Sequence, residues 1–135
     1  MNNPLETAGA VALAALLHLQ QRALGAATPT ALGFTVVNEA LTLVAYRQAA
    51  FFTCMLHGRL KLTTASGLVS VAEDSPYAVW LGRFAQTFLV QPGCQKLDFA
   101  GAPADFVDGW EEWLPEHLLV AAFFDASGQR LGIVM

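Results

Sequence analysis

The sequence predicts an α+β fold in which antiparallel hairpins form a sheet and helices cover its faces. Three observations carry this prediction. Capping residues followed by proline and helical periodicity recur near Pro4, Pro29 and Pro76. Apolar runs bounded by turn residues lie between and after these helices. The length of 135 residues suits one domain, with no internal repeat or low-complexity linker. The predicted order is α α β β β α (α) β β.

The first predicted helix has strong start signals. Asn3 can cap it, Pro4 suits the first helical position, and Glu6 falls where a capping-box acid belongs. Gly25 ends it. One helical face carries Leu13, Leu16, Leu17, Gln20 and Leu24. Val11 and Leu19 broaden its apolar arc, which predicts packing on more than one surface. We therefore expect residues 1–25 to form a dimerisation element.

The next predicted elements are a second helix, a central strand and a hairpin. Thr28 is the cap candidate and Pro29 the first residue of the second helix. Residues 45–55, "AYRQAAFFTCM", read as a strand whose two faces are both mostly apolar, which favours a position covered on both sides. Residues 57–74 read as a hairpin whose return strand covers 68–71.

The third helix and the elements after it complete the order. Asp74 or Ser75 caps this helix and Pro76 starts it. Gly109 weakens the short helix that follows. The remaining predicted elements are a loop at 90–95, the short helix within 104–116, and strands at 117–125 and 130–135.

The composition limits the function classes. Hydrophobic residues make up 55% and charged residues 13%, against typical values of about 45–50% and 25%. So few charges predict an exposed apolar patch for a second subunit, a neighbouring domain or a membrane-proximal setting. The net charge of −4 and the scattered Lys and Arg residues argue against nucleic-acid binding. No uncharged stretch reaches the roughly 18 strongly apolar residues that a transmembrane helix needs.

The residues do not suggest catalysis, a metal or a cofactor. The serines lack a nucleophile motif, and the three histidines lie on separate predicted elements. Glu111 and Glu112 are adjacent and project in different directions, so they do not form a general acid–base pair. Cys54 and Cys94 have no redox or ligand spacing, which favours a reduced, cytoplasmic chain. We therefore expect a non-enzymatic protein without cofactor or metal.

The polar triplet Tyr46, Arg47 and Gln48 is the best candidate ligand site. Arg47 could bind an anionic group through its guanidinium fork, with Tyr46 lining a pocket. The alternative is a structural clamp in which Arg47 pairs with Glu39 while Asn38 and Gln48 satisfy nearby backbone groups. We favour the clamp, because a buried arginine needs a partner.

Aromatic residues give a second pair of alternatives. Trp80 could line a pocket for a planar ligand, although aromatic residues at helical spacing are usually core. Phe106, Trp110 and Trp113 are flanked by acidic residues, so a short helix there could dock onto a partner, for which tryptophan is a favoured anchor.

Three segments carry a family resemblance. Residues 32–52 ("LGFTVVNEALTLVAYRQAAFF"), 58–81 ("GRLKLTTASGLVSVAEDSPYAVWL") and 110–135 ("WEEWLPEHLLVAAFF…GQRLGIVM") resemble a GAF-like domain. The similar domain lies ahead of the membrane anchor in bacterial haemolysin-secretion-type membrane-fusion proteins, which are periplasmic adaptors of efflux and secretion systems. In that family a proline usually precedes the tyrosine, where this chain has Ala45.

The resemblance implies a single GAF-like domain over residues 1–135, with a GAF/PAS-like central antiparallel sheet of five or six strands. It implies helices on one face and a ligand cavity on the other. The implied function is a non-catalytic sensory or regulatory module, homodimeric, binding an unknown small molecule. Its implied place is the cytoplasmic N-terminal domain of an export adaptor at the inner face of the membrane. The alternative is a ligand-free interaction or dimerisation module that docks through apolar surfaces.

Overall fold

The computed structural model describes residues 3–135, so the first two residues of the predicted segment 1–25 lie outside the described range. Its helices are α1 (Pro4–Leu24), α2 (Pro29–Glu39), α3 (Pro76–Phe88) and α4 (Val107–Trp113). Its strands are β1 (Ala50–Cys54), β2 (Leu60–Ala65), β3 (Gly93–Asp98), β4 (His117–Phe124) and β5 (Arg130–Val134). The predicted α+β class, with an antiparallel sheet and flanking helices, is confirmed.

The five strands form one sheet in the order β2-β1-β5-β4-β3. All four neighbouring pairs are antiparallel, and β1 and β5 lie inside the sheet. Gly132 of β5 lies opposite Thr53, and the carbonyl oxygen of Phe52 occupies the space that a Cβ at residue 132 would need. The centre of the sheet therefore depends on a residue without a side chain at this position.

The three long helices begin where the capping residues predict. Asn3 accepts a hydrogen bond from the backbone N–H of Leu5. The Thr28 hydroxyl accepts one from Ala31 at 3.1 Å. The Ser75 hydroxyl accepts one from Ala78 at 3.2 Å. Each cap satisfies a backbone donor that has no partner within the helix, and proline follows each cap.

The main core lies between the sheet and the pair α3 and α4. Its fully buried large side chains are Phe52, Leu81, Phe84, Leu89, Trp110, Val120 and Ile133. Phe51, the neighbour of Phe52 on β1, points to the opposite face, where it packs with Val37 of α2 and Ala49. Helices therefore cover both faces of the sheet, and the implied arrangement with helices on one face is wrong.

One predicted strand is wrong and one strand was missed. Residues 68–71 form no strand, and the Val69 side chain is fully exposed. The strand that the sequence did not predict is β3, which begins inside the predicted loop 90–95 and includes Cys94. β3 is an edge strand and only Leu97 on it is even partly buried, so it lacks the apolar alternation that marks a strand in sequence.

Candidate functional site

The polar triplet precedes β1 instead of lying on it. Residues 46–48 are irregular, and β1 begins only at Ala50, so the predicted strand starts too early. The Tyr46 hydroxyl donates to the carbonyl oxygen of Val37 at 2.6 Å, and burial raises the pKa of Tyr46. The Gln48 side-chain oxygen accepts from the Tyr77 hydroxyl at 3.1 Å. Two residues of the triplet therefore tie this segment to α2 and α3.

Arg47 does not form the clamp that the sequence favoured. Its side chain is exposed, and Glu39 pairs instead with Arg22, whose Nη2 lies 2.6 Å from Oε1 of Glu39. The pair joins α1 to α2, because Glu39 is the last residue of α2 and Arg22 lies in the last turn of α1. The predicted Arg47–Glu39 pair is wrong; an exposed Arg47 does not need a partner as a buried one would.

Asn38 does hold two elements together. Its Nδ2 donates to the Phe34 carbonyl oxygen at 3.0 Å, which fixes the side chain along α2. Its Oδ1 accepts from the backbone N–H of Gly67 at 3.3 Å, in the turn that follows β2. Gly67 has φ = 74°, a conformation that favours glycine. Asn38 and Glu39 thus make structural contacts from neighbouring positions at the end of α2.

The aromatic residues fill the space between α3, α4 and the sheet. Phe84 is fully buried. Its ring centroid lies 5.4 Å from that of Trp80, with which it stacks, and 5.3 Å from that of Phe106, which it meets edge to face. Trp110, 5.5 Å from Phe84 and 1% exposed, donates from its indole N–H to the Pro115 carbonyl oxygen at 2.9 Å. These contacts are core packing, and the space for a planar ligand is occupied by side chains.

The predicted docking surface is therefore corrected. Phe106 and Trp110 are buried, so they do not form an exposed face with Trp113, which is half-buried and lies 5.6 Å from the ring of Tyr77. The short helix α4 turns its aromatic side toward α3 and its acidic residues toward solvent. Gly109 allows this close approach, because a Cβ there would overlap the indole of Trp80.

Two open grooves lie elsewhere on the surface. One of about 410 Å³ lies between α1 and α2 and is lined in part by His18, Arg22 and Thr35. The other, about 440 Å³, is lined in part by Asp98 and Glu111. Neither groove is lined by Tyr46, Arg47, Gln48 or Trp80, the four predicted ligand-binding residues. The structure does not bring those four residues together in either groove.

Titratable groups in residues 3–135 are scattered. No group of three His, Cys, Asp or Glu side chains in this range could hold a metal ion. His18 lies on α1, His57 in a turn with φ = 71°, and His117 at the start of β4. Among these same residues, no helix has the length and apolar character needed to cross a membrane.

The surface of α1 is strongly apolar and exposed. None of the described residues of α1 is buried, and the helix contacts α2; its partly buried residues are Ala15, Leu19 and Ala23. Leu13 and Leu17 remain 57% and 51% exposed. The other large apolar side chains of α1 that are mostly exposed are Leu5, Val11, Leu16 and Leu24. The broad arc in the sequence predicted this surface, although it did not show that α2 covers so little of it.

Comparison with solved structures identifies the fold. A protein in its far-red absorbing dark state with bound biliverdin IXa matches with a TM-score of 0.62 and 12% identity, over 90% of this chain and 81% of that chain. The phycoerythrobilin-bound GAF domain of a cyanobacterial phytochrome matches with a TM-score of 0.59 and 11% identity, over 91% and 78%. The chain has a GAF-like fold. Residues 122 to 287 of a methyl-accepting chemotaxis protein match this GAF-like domain with a TM-score of 0.60 and 11% identity, over 86% and 76%.

Similarity at this level concerns the fold alone. No family model matches the chain, and no curated protein matches it. The GAF-like part of the sequence resemblance is thus confirmed at the level of fold, while its membrane-fusion adaptor part stays a prediction.

Proposed function

We propose that this GAF-like domain is a non-catalytic regulatory module that works by self-association through α1, without enclosing a small molecule. The observation that supports it most directly is the exposure of α1. Five of the six leucines on this helix leave half or more of their surface in water, and they contribute nothing to the core of their own domain. A soluble protein rarely exposes so much contiguous apolar surface unless another molecule covers it.

The packed interior supports self-association over ligand binding. Two of the solved structures with this fold hold a bilin. Here the space between the sheet and α3 is filled by Phe84, Trp110 and Leu81, each at most 2% exposed. An enclosed tetrapyrrole would have to displace these side chains, and the packing of α3 and α4 would be lost with them. The sequence placed the sensory role first, and the filled core supports the ligand-free alternative.

The setting of this module comes from the sequence resemblance alone. We infer a cytoplasmic domain at the inner face of the membrane, within an export-system adaptor. The test is direct: a fluorescent fusion of the natural full-length protein should follow the inner membrane, and the domain should be inaccessible to protease added outside the membrane. A uniformly cytosolic signal, or cleavage from outside, would contradict this setting.

The test of self-association compares two lysine substitutions. Leu17→Lys places a charge on the exposed side of α1, and Val69→Lys places the same charge on a fully exposed residue far from α1 in the chain. Burying a charge at an interface is costly, so Leu17→Lys should convert the dimer to a monomer in size-exclusion chromatography with light scattering. Val69→Lys should leave the dimer unchanged.

Folding is controlled separately in this test. Leu17 is half exposed and belongs to neither buried cluster, so Leu17→Lys should keep the circular-dichroism spectrum and melting temperature expected of a folded domain. A wild-type protein that stays monomeric at the highest attainable concentration would overturn the proposed function. Equal dimerisation of both variants would exclude α1 as the interface.

A further inference from the structure

We propose that two copies of the domain pair through α1 in a parallel orientation, in register at Gln20. This inference rests on the proposed self-association and adds to it the geometry of the pair. It assigns a role to the polar residue that interrupts the apolar surface of α1. The occupant of the exposed α1 face is a second copy of the same chain.

The exposed face of α1 contains a coiled-coil seam. Its residues alternate by three and four positions, namely Ala10, Leu13, Leu17, Gln20 and Leu24. That alternation gives the repeat of about 3.5 residues at which two helices pack knobs into holes. At about 1.5 Å per residue, the seam is about 21 Å long.

The seam lies away from the rest of the domain. At about 100° per residue, Leu13 and Leu17 point roughly opposite to Leu19, which lies with Ala15 and Ala23 on the side that packs on α2. A second helix can therefore lie on the seam while α2 stays in place. In such a pair the two sheets lie on the outer sides, so the folded bodies do not obstruct it.

The charge pattern suits an identical partner. The seam from Ala10 to Leu24 carries no charged side chain, so two copies can meet without like-charge repulsion despite the net charge of −4. The next position on the same line is Glu6, in the exposed first turn of α1, so the two Glu6 side chains of a parallel pair lie side by side in water, where salt screens their repulsion. Arg22 lies off the seam and is engaged with Glu39.

Gln20 selects the orientation. In a parallel pair each seam position faces its own copy, so the two Gln20 amides meet and each can donate to the other. The antiparallel register that sets Leu13 opposite Leu24 places Gln20 against Leu17 and buries its amide without a partner, which is unfavourable. The antiparallel register that pairs Gln20 with itself carries Leu13 past the end of the partner helix. Only the parallel pair uses the whole seam and satisfies the amide.

Disulfide trapping tests the orientation. In a background of Cys54→Ser and Cys94→Ser, Leu13→Cys should form a disulfide-linked dimer under mild oxidation, because a parallel pair holds the two copies of residue 13 side by side. Leu24→Cys should do the same at the other end of the seam. Ala14→Cys, which is exposed and about 100° around the helix from residue 13, is the matched control and should cross-link far less.

The antiparallel outcome looks different. There the two copies of residue 13 would lie about 16 Å apart along the helix axis, too far for a disulfide. Leu13→Cys and Leu24→Cys would then each fail alone and cross-link only when mixed. A dimer by light scattering with this cross-linking pattern would overturn the parallel inference and leave the proposed function standing. A monomer by light scattering would overturn both.

A charge-pairing experiment tests the register at Gln20. Gln20→Glu and Gln20→Lys should each weaken the dimer at neutral pH by at least about tenfold, because like charges would face each other across the seam. An equimolar mixture should dimerise more tightly than either variant alone, since opposite charges then meet. If mixing restores nothing while each variant alone is weakened, Gln20 does not face its own copy and the register is wrong.

Discussion

Thr64 offers a sharp test of how α2 packs on the sheet. Its hydroxyl oxygen is buried and is the one buried side-chain N or O atom in residues 3–135 without a hydrogen-bond partner. It lies under the close approach of α2, because a Cβ built on Gly33 would come within 2.8 Å of it. Thr64→Val removes the unsatisfied hydroxyl with little change in shape.

The expected gain follows from two opposing terms. Relieving an unsatisfied buried hydroxyl recovers about 1–3 kcal/mol of unfolding free energy. A methyl group is slightly larger than a hydroxyl, and crowding against Gly33 offsets part of that gain, since over-packing costs about 1–3 kcal/mol in the worst case. We expect a net stabilisation of about 1 kcal/mol, or about 2–6 °C in melting temperature for a chain of this length.

The neighbouring threonine supplies the control. The Thr63 hydroxyl lies 2.7 Å from the Thr53 hydroxyl, so Thr63→Val breaks a hydrogen bond and should destabilise the protein by about 0.5–1.5 kcal/mol. Urea denaturation of the two variants beside wild type measures the difference in unfolding free energy. If Thr64→Val destabilises as much as Thr63→Val, the Thr64 hydroxyl has a partner or the α2 contact has no room, and the packing described above is wrong.

Two further predictions concern the sheet. Gly132→Ala should destabilise the protein by about 3 kcal/mol, because its Cβ would overlap the Phe52 carbonyl oxygen and neither central strand can move freely; a loss below about 1 kcal/mol in chemical denaturation would contradict this. Hydrogen bonds from Ser127 and Gln129 hold the pKa of Asp125 below its usual value. Because folding lowers the pKa of this carboxyl, its charged form stabilises the fold at every pH above the pKa of the unfolded state, and that stabilisation is lost as the pH falls through the pKa of the folded state. The melting temperature should therefore fall in acid below about pH 4. Asp125→Asn should flatten that fall, and an unchanged acid limb would refute the role.

The sequence predicted those parts of the fold that local chemistry determines. Asn3, Thr28 and Ser75 mark helix starts because each cap acts within three residues of itself. β3 escaped prediction because an edge strand exposed to solvent on most of its residues need not alternate. The sequence predicted a strand at the apolar run 68–71 instead, and this run is irregular and mostly exposed in the structure.

Long-range partners were harder to predict. From the sequence, either Arg22 or Arg47 could pair with Glu39. The packing of α1 on α2 places Arg22 beside Glu39, and the sequence does not show that packing. Trp110 looked like a docking residue because acids flank it, but Gly109 lets α4 approach Trp80 and turns the tryptophan inward. The apolar surface of α1 was predictable, since its arc was too broad for one contact. Its heptad seam becomes distinct only once α2 is seen on the opposite side.

The central claim is that the domain acts through the exposed surface of α1, and the mass of the protein in solution tests it most directly. Sedimentation equilibrium over a series of concentrations should show a mass rising from 14.4 kDa toward twice that value, and Leu17→Lys should stay at 14.4 kDa throughout. A wild-type mass that remains at 14.4 kDa over the whole series would contradict the account.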